Sequence, residues 1–243
     1  MLRHLRPSPL PYHAGMANVF ELIDRMVGSD ARDRLTGAGP HLYVFRTTDS
    51  VLCRCHADLG IDVAESLERV ALTERGRQRD WPRQYGEYLA ILASVGPVKA
   101  VRAGLLYRVV DPPEGVATRI TRANADLLRD GLDEWLPDVD AGRLIYATVV
   151  DGRAVSICAS VNTVEEAHAA GVETLPSYRL RGLAAQAVAA WAGAVLRMNA
   201  TPFYGTTFDN LASQGVARRL AMQLVGAEFS VECALVNGGQ PPF

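Results

Sequence analysis

The chain has 243 residues, 49% hydrophobic and 21% charged, with a formal net charge of −2. That length holds one large or two small domains around a sizeable core. Its 25 Lys and Arg against 27 Asp and Glu leave no unmatched basic cluster, which argues against nucleic acid as a partner.

No apolar run reaches the roughly eighteen residues of a membrane span. The start, Met1–Tyr12, is basic but lacks the apolar stretch of a secretory signal. The expectation is a cytoplasmic protein without a membrane partner. Cys53-x-Cys55-His56 invites a metal reading, but no second pair stands at zinc spacing. Cys53, Cys55, Cys158 and Cys233 therefore read as reduced core thiols, and no metal is expected.

In chain order, the pattern predicts a helix over 17–26 and a hairpin of 41–47 and 51–56. Two more helices follow near 63–73 and 82–94, the second with Tyr85, Tyr88, Leu89 and Leu92 as its core face. An apolar stretch, 98–110, leads to Pro112-Pro113. A helical segment is then expected from Ala123 to Trp135, ending before Pro137. Strands 144–150 and 154–161 flank Asp151-Gly152-Arg153, a hairpin signal. Next come strand 169–175, helix 182–196, strand 201–208, helix 211–221 and strand 228–236. On helix 182–196 an apolar stripe runs through Ala184, Val188, Trp191 and Val195.

The chemistry concentrates in residues 172–184, V-E-T-L-P-S-Y-R-L-R-G-L-A. Arg179-Leu180-Arg181-Gly182-Leu183-Ala184 is an R-x-x-G-x-A turn between a strand and a helix. Free backbone N–H groups and the positive end of the helix dipole make such a place bind anions, phosphates above all. Gly182 and Ala184 are small where the backbone would approach phosphate, and Arg179 and Arg181 can add charge-assisted bonds. Asp209-Asn210-Leu211-Ala212-Ser213 follows the next strand, with Asp209 or Asn210 suited to cap a helix. Asn210 and Ser213, at i and i+3, share a face.

These two elements, in this order, resemble the GNAT N-acetyltransferase superfamily over roughly residues 115–243. The resemblance implies a mixed α/β fold with a splayed central sheet flanked by helices. It implies acetyl-CoA as cosubstrate, its pyrophosphate on residues 179–184 and its pantetheine arm paired with Val172–Thr174 and facing Asn210 and Ser213. Residues 1–114 match no motif and read as an accessory α/β domain, with a degenerate copy of the same fold as the other reading; residues 115–243 read as the acetyltransferase domain.

In this family a tyrosine seven residues after the asparagine commonly acts as general acid; here that position is Ala217. Tyr204, on the adjoining strand, is the substitute candidate. Glu173 is the candidate general base, with His168 as runner-up. Glu165 and Glu166 read as solvated charge, or as attractors of a cationic amine. The expected function is acetyl transfer to the amine of a small metabolite, amino-acid-like compound or antibiotic by a monomer or homodimer. The alternative is a non-catalytic CoA-binding or regulatory module of the same fold.

Overall fold

The computed structural model describes residues 14–74 and 80–235. Its strands are β1 (Arg34–Leu35), β2 (Leu42–Arg46), β3 (Val51–His56), β4 (Val98–Arg108), β5 (Thr118–Ile120), β6 (Ile145–Val150), β7 (Arg153–Val164), β8 (Ala167–Thr174), β9 (Thr201–Thr207) and β10 (Gln223–Cys233). Its helices are α1 (Ala14–Met26), α2 (Ile61–Ala71), α3 (Tyr85–Ala93), α4 (Leu136–Asp140), α5 (Leu183–Arg197) and α6 (Leu211–Arg219). All ten strands form one mixed sheet in the order β1-β3-β2-β10-β4-β9-β8-β7-β6-β5. Among the described residues only β1/β3 and β8/β9 are parallel pairs.

Strand alternation sends successive side chains to opposite faces, and each face has its own cover. One face carries α2 and α3 over Leu42, Val44, Ala103 and Phe229, and α5 and α6 over Leu105, Tyr107, Cys158 and Tyr204. Trp191, fully buried in α5, anchors that layer and donates its Nε1–H to Ser160 Oγ at 2.9 Å. The other face carries α1 over Phe45, Leu106, Ala167 and Phe203. Beyond it, 3-10 turns at 122–128 and 133–135, with α4, cover Ile145, Ile157 and Ala159. No helix among the described residues is long and apolar enough to cross a membrane.

Most predicted elements appear within a few residues of their expected ends. Tyr88 and Leu92 are fully buried on α3, as its spacing implied. Cys53 and Cys55 pack together against the α2–α3 layer. The Asp151-Gly152 turn has both residues at positive φ, 50° and 76°, the type I′ geometry that suits a twisted hairpin.

Three expectations need correction. The segment 123–135 is not a continuous helix. Asn124 has φ −132°, and Asp130 and Gly131 have φ 67° and 133°, so the segment breaks into 3-10 turns. Pro137 does not end a helix either; it lies in the first turn of α4, where its missing N–H costs nothing. β10 begins at Gln223 rather than Glu228, and a bulge between Leu224 and Gly226 hides its start by breaking the alternation. Residue 236, expected in that strand, lies outside the described residues.

The sheet also runs through both parts of the chain. β4, from the first 114 residues, lies between β9 and β10, and β10 returns to pair with β2. β4 and β9 approach so closely at Gly104 that a Cβ there would strike the Thr206 carbonyl. Gly104→Ala is therefore expected to destabilise the fold by about 1–3 kcal/mol or more through overpacking. Urea denaturation monitored by tryptophan fluorescence measures this, and an unchanged midpoint would show that β4 can yield there.

Candidate active site

β8 and β9 pair over only three positions, Ala167–Ala169 against Thr201–Phe203. Past them the strands part: residues 170–174 keep only β7 as a partner, and residues 204–207 keep only β4. Between them lies a cleft of about 390 Å³, within the size range of small-molecule sites. Ala170 and Val172 of β8, Tyr204 and Thr206 of β9, and Asn210 and Ser213 of α6 line it on the α5–α6 side. Tyr43 of β2, Arg102 and Gly104 of β4, Gly205 of β9, and Glu228 and Ser230 of β10 line it on the α1 side.

β8 leads from this cleft into the predicted anion turn. After Leu175, a 3-10 turn over Pro176–Tyr178 reverses the chain; Leu180 at φ 61° and Gly182 at φ 79° then aim it into α5. Gly182 is the helix N-cap, and no side chain caps that end. The first N–H groups of α5 therefore lack the partners a cap would supply. Arg179 and Arg181 are exposed beside them; Arg179 Nε donates to Thr174 O at 3.1 Å, and the Arg181 guanidinium lies 5.2 Å from the Tyr178 ring centre. A third cation, which the sequence did not disclose, joins from α6. The Arg219 guanidinium lies 3.2 Å from where a Cβ on Gly182 would be. Thr174 Oγ1 is 2.7 Å from Ser156 Oγ, and Leu183 O accepts from Thr148 Oγ1 at 3.0 Å; Ala184 is half-buried in the first turn.

Across the cleft, Asn210 caps α6, its Oδ1 accepting the Ser213 N–H at 2.9 Å. Ser213 Oγ is 2.7 Å from the Tyr204 hydroxyl. Tyr204 is 2% exposed, and burial raises its pKa, which keeps the phenol protonated at neutral pH.

Residues 144–227 match the family model described as GNAT acetyltransferase. That segment, in the C-terminal half of the chain, is a GNAT acetyltransferase region. Among solved structures the chain is similar to a GCN5-related N-acetyltransferase-like protein from Streptococcus suis, at 15% identity, covering 79% of this chain and 83% of that one, TM-score 0.47. It is also similar to a GNAT-family acetyltransferase from Colwellia psychrerythraea, at 9% identity, covering 85% and 80%, TM-score 0.47. A third is the aminoglycoside N-acetyltransferase AAC(6')-Iy in complex with CoA, at 20% identity, covering 52% and 99%, TM-score 0.36. No curated protein matches the chain.

The cleft does not gather every predicted residue. Glu173 is not among its lining. Its Oε2 accepts the Trp135 Nε1–H at 2.7 Å, and its hydrogen bond with Glu134 raises the Glu134 pKa. His168 is buried under α5 with Nδ1 2.7 Å from Ser160 Oγ; burial lowers its pKa and keeps it neutral. Glu166 is taken up by Arg25 at 2.8 Å, and Glu165 is exposed. Ala217 is 1% exposed, on the buried face of α6.

The carboxylate that does line the cleft is Glu228, which sequence reading passed over as part of an ordinary strand. The Tyr43 hydroxyl donates to its Oε1 at 2.5 Å. Burial raises the Glu228 pKa, outweighing the opposing effect of that bond. A signal was present in Gly104 and Gly205: glycines inside strands mark close approach or open space.

A carboxyl whose folded pKa lies above its unfolded value holds its proton more tightly when folded. Its stabilisation is full below the ordinary pKa of 4.5 and is lost as pH rises through the folded value. Glu228→Gln, which keeps an acceptor for Tyr43, is expected to flatten that part of the stability profile. Melting temperatures of both proteins measured across this pH window test it, and parallel curves would contradict it.

Proposed function

We propose that this GNAT protein transfers the acetyl group of acetyl-CoA to the amine of a small metabolite, amino-acid-like compound or antibiotic by direct attack on the thioester. The observation that supports this most is the unpaired inner edge of β8, which joins an open cleft to an uncapped, arginine-ringed helix N-terminus. The pyrophosphate would lie on the 179–184 turn, held by α5 N–H groups and by Arg179, Arg181 and Arg219. Pantetheine, with its amide groups, would pair with the free edge at Val172–Thr174 as an added strand. Asn210 and Ser213 face that arm from α6.

Proton transfers on both sides of the cleft balance the chemistry. A carboxylate on the acceptor side takes one proton from the ammonium, freeing the lone pair that attacks the thioester carbonyl. A C–N bond forms; the tetrahedral intermediate then collapses, and the C–S electron pair goes to sulfur. The thiolate takes a proton from the Tyr204 hydroxyl, which Ser213 orients, and the second proton leaves the nitrogen for solvent, which reprotonates Tyr204. Tyr204 thus supplies the proton for which Ala217 offers none. Residues 1–114 contribute the acceptor wall, since Tyr43 and Arg102 come from them.

The absence of a titratable group at Ala217 favours a second reading, a CoA-binding module without turnover. Release of free thiol from acetyl-CoA over a panel of amines separates the two.

Gly182→Asp is expected to abolish CoA binding, because the new carboxylate occupies the phosphate position and pairs with Arg219. In a thermal-shift assay, CoA at about 100 times its dissociation constant stabilises a protein by roughly 2.7 kcal/mol. The parent should show that shift and the variant none; equal shifts would place the phosphates elsewhere.

Glu173→Gln is expected to raise KM for cationic acceptors while kcat stays within about tenfold of the parent. The Glu134–Glu173 pair attracts the amine but does not line the cleft. A kcat loss of about 10² or more, the range of a positioned base, together with loss of the parent's pH dependence, would instead make Glu173 the base.

A further inference from the structure

Arg102 and Glu228 project into the cleft from neighbouring strands on the α1 side. Arg102 stands opposite Ser230, and Glu228 stands opposite Gly104, one same-face step along. Such diagonal neighbours have Cα atoms about 7–8 Å apart, a span that two long side chains close easily. Yet Arg102 forms no ion pair among the described residues. Glu228 spends Oε1 on Tyr43, while Oε2 lies 3.6 Å from the position of a Cβ on Gly205 and accepts no hydrogen bond among the described residues. Gly104 and Gly205 carry no side chains, so the floor between these groups stays open.

A guanidinium and a carboxylate left free side by side in one small cleft are complementary to a ligand carrying both opposite charges. Arg102 does not belong with the phosphate site. That site is built on the α5 N-terminus, and Arg102 projects from the face that carries α1.

We infer that the acceptor is a zwitterion of amino-acid type, its carboxylate held by Arg102 and its ammonium by Glu228, which removes the proton before attack. This rests on the acetyltransferase reading above. Glu228 is then a catalytic residue, Tyr43 a positioning residue that fixes its carboxylate through Oε1, and Arg102 the specificity determinant. Arginine suits that role because its planar fork binds a carboxylate through two parallel hydrogen bonds.

The test compares amino acids with their amides and with simple amines, following free thiol from acetyl-CoA and product mass. The parent, Arg102→Gln, Glu228→Gln and Tyr43→Phe are assayed together, with the CoA-induced thermal shift of each as the check on folding and donor binding. The parent should prefer acids to amides, and Arg102→Gln should cut that preference in kcat/KM at least tenfold. Glu228→Gln should lower kcat at least about a hundredfold with its CoA shift intact. Tyr43→Phe should lower kcat less and displace the pH profile of kcat/KM, which a purely structural role would not do. Transfer to amines without regard to a carboxylate, or full kcat in Glu228→Gln, overturns the inference while leaving the acetyltransferase reading standing. Absence of thiol release from the parent with every amine overturns both.

Discussion

The parting of two parallel strands is the constraint on which this molecule is organised. After three paired positions, β8 and β9 each keep a partner on the outer side and none on the inner. Every backbone group on those inner edges wants a hydrogen bond, and leaving one buried without a partner costs about 1–3 kcal/mol. The gap must therefore hold water or a ligand that can itself donate and accept along a strand. A hydrocarbon cannot do so, whereas an amide-bearing arm can. The walls do not close the gap because each is fastened outward. β7 pairs with β8 over eight positions, and β4 sits so close to β9 that only glycine fits at 104.

Charge is sorted along the same opening. A formal net charge of −2 conceals a cationic end, with Arg179, Arg181 and Arg219 around the positive pole of α5, and an acidic side with Glu228 and the Glu134–Glu173 pair. An anionic ligand and a cationic one would thereby take different approaches and meet at the strands between them. The separation also keeps carboxylates away from the arginine-ringed turn, where they would repel a phosphate.

What the sequence made legible was local. Gly182 at a strand-to-helix turn, Asn210 with Ser213 one turn on, and Asp151-Gly152 between alternating runs are each specified within a few residues, and each is found in place. Glu173 was read on the correct strand, but its partner Trp135 arrives from 38 residues away, out of reach of any spacing rule. The break at Asp130-Gly131 was missed because apolar spacing on either side of it still imitates a helix. The acceptor wall was invisible for a different reason. It joins β2, β4 and β10, and strand pairing over such separations depends on packing rather than on local preference.

β4 makes that wall and the fold a single problem. On one face Leu105 and Tyr107 pack into the layer under α5 and α6; on the other, Arg102 and Gly104 line the cleft. Its two edges carry β9 and β10, whose own long run against β4 holds Glu228 in register with Gly104. Residues 98–108 thus cannot shift to reshape acceptor recognition without unpairing both neighbours. A single-residue slip would also turn Arg102 away from the cleft and bring Val101 or Ala103 into it. On the function proposed above, selectivity for the acceptor would be adjusted at side-chain positions on a fixed strand, and the rigidity that sets Arg102 one same-face step from Glu228 is the same rigidity that keeps the cleft open.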